Sequence, residues 1–341
     1  MNKVKIGMIL IIILISTSAF VGCSKKDKGK QNELVDEVID LQESRHYGPE
    51  DASNEKTKTK EAENQETKIK KTKIKTTNLQ EPTEDYAIEK KTMKIYDIEE
   101  GYLEVPFNPN LLRHAYDWKK IEEQGGYKYY MEDGKAITKL GIDVSTFQGE
   151  IDWKQVKESG IEFVIIRLGF RGYGNGSLVL DKRYKSNIKS ALKAGLDVGV
   201  YFFSQAITVE EAIEEANYVN QNLDGYEITY PVVFDTEKIK GDTARTDHLS
   251  VEDLTDITRA FCEKVKEFGY VPMIYANSKW LTTKLELDQL GDYGIWYADY
   301  QEEPLYLYQF NMWQYTESGY VPGITGIVDI NLYWDLSNLS K

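Results

Sequence analysis

From residue 139 onward the sequence predicts an α/β fold: a (β/α) barrel of about eight strands and fewer helices, irregular in its last third and preceded by a disordered tether. Three observations predict it. Apolar runs of strand length alternate with stretches of helical periodicity over about 200 residues, the rhythm of a parallel sheet. Eight such runs occur without a glycine fingerprint for a dinucleotide, which favours a closed barrel over an open sheet. Helical stretches become sparse toward the C-terminus, so the last part of the barrel is expected to depart from regular alternation.

The elements follow in order. Residues 1–22 read as a signal peptide, with Lys3 and Lys5 ahead of an apolar run from Ile6 to Leu14 and small residues before Cys23. The apolar stretch is short for a membrane span and is interrupted by Ser and Thr. Residues 23–91 are dominated by Lys, Glu, Asp, Thr, Asn and Gln, and bury too little apolar surface to offset their ordering entropy. That segment is a charged linker whose role is reach; its Lys-rich run at 68–75 reads as solvated tether. Residues 92–138 hold a hairpin signal around Asp133-Gly134 within Tyr127-Lys-Tyr-Tyr-Met-Glu-Asp-Gly134. They are expected to form a strap on the barrel, because short aromatic hairpins need a larger body; an added lip of the groove is the alternative.

Residues 139–341 are assigned to the barrel. Its strands are expected at Leu140–Val144, Glu162–Leu168, Leu196–Phe203, Tyr230–Phe234, Val271–Tyr275, Gly294–Ala298, Met312–Gln314 and Gly326–Ile330. Helices are expected at Asp152–Ser159, Lys182–Ala194, Val209–Leu223, Val251–Phe268 and Ser278–Leu285. Gly160, Gly195 and Gly269 stand where helices stop.

Composition narrows the function. The chain of 341 residues carries a formal charge of −14, and the linker is nearly neutral, so about −15 falls on residues 92–341. An acidic folded part disfavours nucleic acid. His46, His114 and His248 are scattered, with no Cys/His spacing for zinc, and no metal or cofactor is expected. Cys262 lies in a helical pattern and reads as a small core residue.

The most informative segment is Tyr230-Pro-Val-Val-Phe-Asp235-Thr-Glu237. A buried strand ends in two acids two residues apart, which on an extended backbone face the same way roughly 7 Å apart. Such a pair suits glycoside cleavage, where one acid protonates the leaving oxygen and a carboxylate attends the oxocarbenium-like centre. A strand end that merely dips into solvent is the plain alternative. In a (β/α) barrel the site lies at the carboxyl ends of the strands. Those ends offer Asp143, Arg167, Tyr201 with Phe203, Asp235 with Glu237, Tyr275, Trp296, Gln314, and Asp329 with Asn331. Carboxylates for chemistry and flat rings for C–H faces are what a sugar requires.

Several segments together resemble glycoside hydrolase family 25, the muramidase family of lysozymes. They are Gly141-Ile-Asp143-Val-Ser-Thr-Phe-Gln-Gly-Glu-Ile-Asp-Trp153, Val200-Tyr201-Phe-Phe203, Pro231-Val-Val-Phe-Asp235-Thr-Glu237, Trp296-Tyr297-Ala298, Trp313-Gln314-Tyr315 and Val328-Asp329-Ile-Asn331. The resemblance implies a flattened, irregular barrel and cleavage of the β-1,4 bond between N-acetylmuramic acid and N-acetylglucosamine in peptidoglycan. It implies Glu237 as general acid/base. Asp235 would be the neighbouring acid that assists the substrate acetamido group or acts as nucleophile, with Asp143 and Asp329 as two further carboxylates on the cleft floor. Tyr201, Phe203, Tyr275, Trp296, Gln314, Asn331 and Arg167 are the candidate substrate contacts. Val21-Gly22-Cys23 resembles the bacterial lipobox, which implies acylation of Cys23 and a lipid anchor on the outer face of a Gram-positive-type cell membrane. An uncleaved anchor and a fully secreted protein are the alternatives.

The sequence departs from the family after the second strand, where Arg167-Leu-Gly-Phe-Arg171-Gly-Tyr-Gly-Asn-Gly176 stands. Arg167 and Arg171 are assigned either to a carboxylate of the substrate or to structural acids. Two other functions compete with the muramidase: a catalytically silent peptidoglycan-binding lipoprotein, and a glycosidase of another N-acetylated glycan. Retention of all four acids argues against the first.

Overall fold

The computed structural model describes residues 92–334, so the expected signal peptide, Cys23 and linker lie outside the described residues. The chain opens with β1 (Thr92–Asp97) and β2 (Gly101–Pro106), then β3 (Ile121–Gln124), β4 (Tyr127–Glu132) and β5 (Lys135–Ala136). The barrel follows as β6 (Thr138–Val144), α1 (Trp153–Glu158), β7 (Phe163–Arg171), β8 (Leu178–Leu180), α2 (Tyr184–Lys193) and β9 (Asp197–Phe203). It continues with α3 (Val209–Leu223), β10 (Val232–Asp235), α4 (Val251–Glu267), β11 (Pro272–Asn277), α5 (Ser278–Thr283), β12 (Gly294–Ala298), β13 (Met312–Gly319) and β14 (Val328–Trp334).

Eight strands close on themselves in the order β6-β14-β13-β12-β11-β10-β9-β7, with β7 pairing back onto β6; β8 hangs from β7 as a short antiparallel branch. Six of the eight junctions are parallel, and both junctions of β14 are antiparallel. Here the structure corrects the expected all-parallel rhythm. Residues 320–327 are too few for a crossover, so β13 returns as a hairpin. The predicted final strand at 326–330 is correspondingly displaced and runs to Trp334.

Alternation along each strand creates two cores. Leu140, Ile142, Val164, Ile166, Val198, Val200, Val232, Phe234, Ile274 and Ile295 point outward into the layer shared with the helices. Phe163, Ile165, Val233, Met273, Tyr275, Trp296 and Met312 point inward, with Tyr201, Tyr230 and Tyr333 against them. The barrel floor is therefore filled by rings: Phe163 stacks on Tyr230 at 4.5 Å, and Tyr230 meets Tyr333 at 5.1 Å. Gly141 makes room for this, since a Cβ there would lie 2.3 Å from the Phe163 ring. Three helix starts are capped by side chains: Asp152, Thr208 and Ser250 each accept a first-turn N–H.

Among the described residues no α-helix follows β12, which leaves the outer face of β12–β14 without a helical cover. Residues 92–138 and the loop before β13 supply one. His114 Nε2 meets Tyr306 O at 2.9 Å, and Tyr116 donates to Phe310 O at 2.6 Å. Tyr130 packs edge-on against Trp334, and the Lys128 ammonium lies over the Trp313 ring at 5.2 Å. Met93, Ile95, Val105, Tyr127 and Tyr130 join the same continuous core as the barrel's outer layer.

Candidate active site

The polar layer of the barrel lies just above the aromatic floor, at the mouth formed by the ends of β6, β9, β10, β11, β12 and β13 and the start of β14. Because β14 runs the other way, Asp329 reaches that mouth from the beginning of its strand and sits in register opposite Asp143. The strand-end rule placed Asp329 correctly for the wrong direction of travel.

Asp143 is the hub. Its Oδ2 accepts from Gln314 Nε2 at 2.9 Å and from Asn331 Nδ2 at 2.8 Å. Asn331 in turn accepts from Trp296 Nε1 at 2.8 Å, and Gln314 Oε1 accepts from the hydroxyls of Tyr275 and Tyr300, each at 2.9 Å. Asp143 and Asp329 also share a hydrogen bond, and both are buried. Burial raises the proton affinity of Asp143, and its hydrogen bonds with Asn331, Gln314, Asp329 and its own backbone offset that only in part. Asp329 is raised well above the carboxylate range by burial and then by the Asp143 charge. One proton is thus held on Asp329 and donated to Asp143, an arrangement forced on two acids that cannot both be ionised out of water.

Asp235 closes β10 and is buried. The next peptides stay extended: Ser204 N–H donates to Asp235 O at 2.9 Å and Thr236 N–H to Tyr275 O at 3.3 Å. Glu237 consequently keeps the parity of Asp235, one step beyond the ladder and half-buried at the rim. Its charge acts on Asp329 and on the Tyr300 hydroxyl, which marks it as part of the same mouth. Tyr201, buried enough to push its hydroxyl well above the usual phenol value, feels Arg167, Asp143 and Asp235. Its ring lies edge-on to Trp296 at 6.3 Å, and Tyr275 meets Trp296 at 4.6 Å. Phe203 ends β9 beside Asp235.

The sequence candidates therefore converge, yet divide into two groups. Asp235, Glu237, Asp329, Tyr201, Phe203 and Tyr275 border the mouth. Trp296, Gln314 and Asn331, at 2%, 2% and 0% exposure, stand behind Asp143 and hold it. Arg167 is buried and pairs through Nε with Asp181 at 2.9 Å, with its guanidinium over Phe147. Arg171 leaves the mouth altogether. A register shift between Arg167 and Gly169 reverses the parity of β7 and turns Arg171 outward. There it meets Glu215 at 2.7 Å, Glu214 at 2.8 Å and the carbonyls of Gly176 and Glu211. A substrate role for Arg171 is corrected to a structural one. Cys23 lies outside the described residues. Tyr300 and Asp181 were not singled out; Tyr300 stands two residues past the end of β12, where the strand-end rule finds it.

Comparison with known proteins adds the following. Residues 142–324 match the model of Glycosyl hydrolases family 25. An autolytic lysozyme of Clostridium acetobutylicum is 27% identical over 192 residues, which is 56% of this chain and 54% of that protein. Lysozyme M1 of Streptomyces globisporus is 26% identical over 211 residues, 57% of this chain and 67% of that one. Among solved structures, the modular autolysin LytC of Streptococcus pneumoniae superposes with a TM-score of 0.51 at 24% identity, covering 72% of this chain and 57% of that one. That likeness is one of fold. The chain spans about half the length of the clostridial relative.

Proposed function

The chain belongs to glycosyl hydrolase family 25, and from that premise we propose that it cleaves the β-1,4 bond between N-acetylmuramic acid and N-acetylglucosamine in peptidoglycan, as a muramidase that remodels or opens the wall. The observation that carries the reading is the convergence of Asp143, Asp329, Asp235 and Glu237 on one barrel mouth walled by Tyr201, Phe203 and Tyr275.

Glu237 is the general acid/base: it stands half-buried at the rim of the mouth, on the face it shares with Asp235, where a leaving oxygen can be met from the open side. Asp235, on the same face and deeper, attends the anomeric centre, either by orienting the substrate acetamido group or by attacking directly. Asp143 and Asp329 form the floor, with their shared proton limiting the net charge beneath the sugar. Tyr201, Phe203 and Tyr275 present ring surface to the pyranose, and Asn331, Gln314 and Trp296 act through Asp143. Arg167 lies next to this floor and, through Asp181, shapes it.

The lipobox-like Val21-Gly22-Cys23 supports acylation of Cys23, an anchor on the outer face of the membrane of a Gram-positive-type cell, and a linker that lets the barrel reach glycan strands. Mass spectrometry of the expressed protein tests it: a diacylated Cys23 N-terminus is expected, lost in Cys23→Ala.

The decisive experiment uses the full chain in mild detergent and its Glu237→Gln variant on purified peptidoglycan, with released ends reduced by borohydride and read by mass spectrometry. Muramitol ends are expected from the wild type, with a rate loss of about 10²–10⁴ in the variant. Glucosaminitol ends would make the enzyme a glucosaminidase. Binding with no new ends would leave a silent wall-binding protein, and release from chitin alone would change the substrate.

A further inference from the structure

The β1–β2 hairpin lies outside the span matched by the family, 142–324, yet its tip reaches the rim beside Glu237. Asp97 Oδ1 accepts the N–H groups of Glu99 and Glu100 at 3.0 and 2.9 Å, so the turn presents both acids in a fixed direction. Glu99 pairs with Lys238 at 3.1 Å, and Lys238 directly follows Glu237. Glu100 pairs with Lys279 on α5, and Ser278 Oγ donates to Tyr96 O at 2.7 Å. From the same helix Trp280 Nε1 donates to Thr236 Oγ1 at 3.2 Å, in a buried contact. Thr236 is the residue between Asp235 and Glu237. One short helix thus links the hairpin to the peptide that carries both acids.

The segment is also fastened on its far side. Arg245 pairs with Glu211 at 2.8 Å, Arg245 N–H donates to Tyr173 O at 3.1 Å, and Thr246 donates to Gln205 Oε1 at 3.0 Å. Between these two attachments Glu237 sits just past the last strand hydrogen bond, on a stretch of backbone whose course the attachments set. A displacement of about 1 Å at such a group costs on the order of 10²-fold in rate.

We propose that the β1–β2 hairpin, through Glu99–Lys238 and through α5 and Trp280, is a positioning brace that holds Thr236–Lys238 so that Glu237 meets the leaving oxygen. The brace rests on the muramidase reading. Trp280, Thr236, Glu99 and Lys238 are positioning residues: they act on Glu237 and not on the sugar. The brace therefore changes kcat and leaves KM alone.

The test measures kcat and KM of the full chain on soluble peptidoglycan strands, with thermal melts confirming that each variant is folded. Thr236→Val, which keeps the side-chain shape, and Trp280→Phe, which keeps an aromatic ring but is smaller, each remove the hydrogen bond and are each expected to lower kcat about tenfold with KM within twofold. Their combination should fall no further than either alone. Glu99→Lys is expected to lower kcat about three- to fivefold, and Glu99→Lys with Lys238→Glu to restore it to within twofold of wild type. Lys139→Ala breaks the Lys139–Glu162 pair on the N-terminal side of the barrel, and should leave kcat unchanged. The brace is overturned if Trp280→Phe and Thr236→Val fold and turn over normally, if their effects add, if KM rises in step, or if the charge swap fails to restore. It is overturned too if Lys139→Ala lowers kcat equally, since the effect would then be global. An active wild type with unaffected variants sinks the brace alone; a wild type that releases no ends from any glycan sinks the muramidase reading and the brace with it.

Discussion

Asp329 and Asp143 meet across an antiparallel junction with no room for two charges, and that single contact sets a measurable pH dependence. Asp329 keeps its proton because burial and the Asp143 charge raise its pKa well above the carboxylate range. A carboxyl raised in the folded state stabilises fully below its unfolded pKa, about 4, and loses that contribution as pH rises through the folded value. Asp329→Asn keeps a neutral donor and has no proton to lose. The difference in Tm, variant minus wild type, is therefore expected to grow as pH rises above about 4. A difference that stays flat or shrinks would remove the proton from Asp329. In the sequence Asp329 and Asn331 were legible as a pair near a strand end. Their separate duties were not, because only the register shows that one faces Asp143 directly and the other supports it.

At the scale of elements, β7 teaches most. The sequence places a strand at Glu162–Leu168 and Arg171 just past its end, whereas the strand runs to Arg171, a position that on a regular ladder would share the parity of Arg167. The bulge breaks that parity, and local sequence does not announce it beyond Gly169, where a Cβ would lie 2.3 Å from Val179 O. Arg171 consequently serves as the counter-ion of Glu215, whose carboxyl burial pushes up to about 7 against the pull of Ser204 and Arg171. Arg171→Ala leaves that acid buried without its cation and is expected to cost about 3–5 kcal/mol in denaturant titrations. The sign with pH follows: Glu215 protonated needs no counter-ion, so the deficit should be smallest near pH 5 and increase through pH 7 and above. KM for glycan should not move. On the floor, Gly141→Ala drives a methyl into the Phe163 ring and is expected to cost about 1–3 kcal/mol.

At the scale of the molecule, the barrel is incomplete where its helices end, and residues 92–138 finish it. Tyr130 is buried against Trp334, accepts Asp117 N–H through its hydroxyl, and belongs to the main core. Tyr130→Ala is expected to cost about 3–5 kcal/mol, as for other large core aromatics. Removing residues 92–136 should uncover Phe310, Trp313 and Trp334, seen as dye binding to exposed apolar surface and a lower, broader melt. A truncated protein that melts like the full chain would reduce the strap to decoration. The strap was visible in the sequence as an aromatic-rich hairpin signal, but not what it covers, because a missing helix appears in a sequence only as a connection of unremarked length.

The sequence by itself determined the strand–helix rhythm, the shared face of Asp235 and Glu237, and the acids that mark a glycosidase. These depend on periodicity and residue chemistry, which are local. Tertiary structure alone decided the hairpin return of β14, the outward turn of Arg171, the shared proton between Asp143 and Asp329, and the tie from β1–β2 to Glu237. Each of those arises from contacts between residues far apart in the chain, where register and burial, not composition, set the energy.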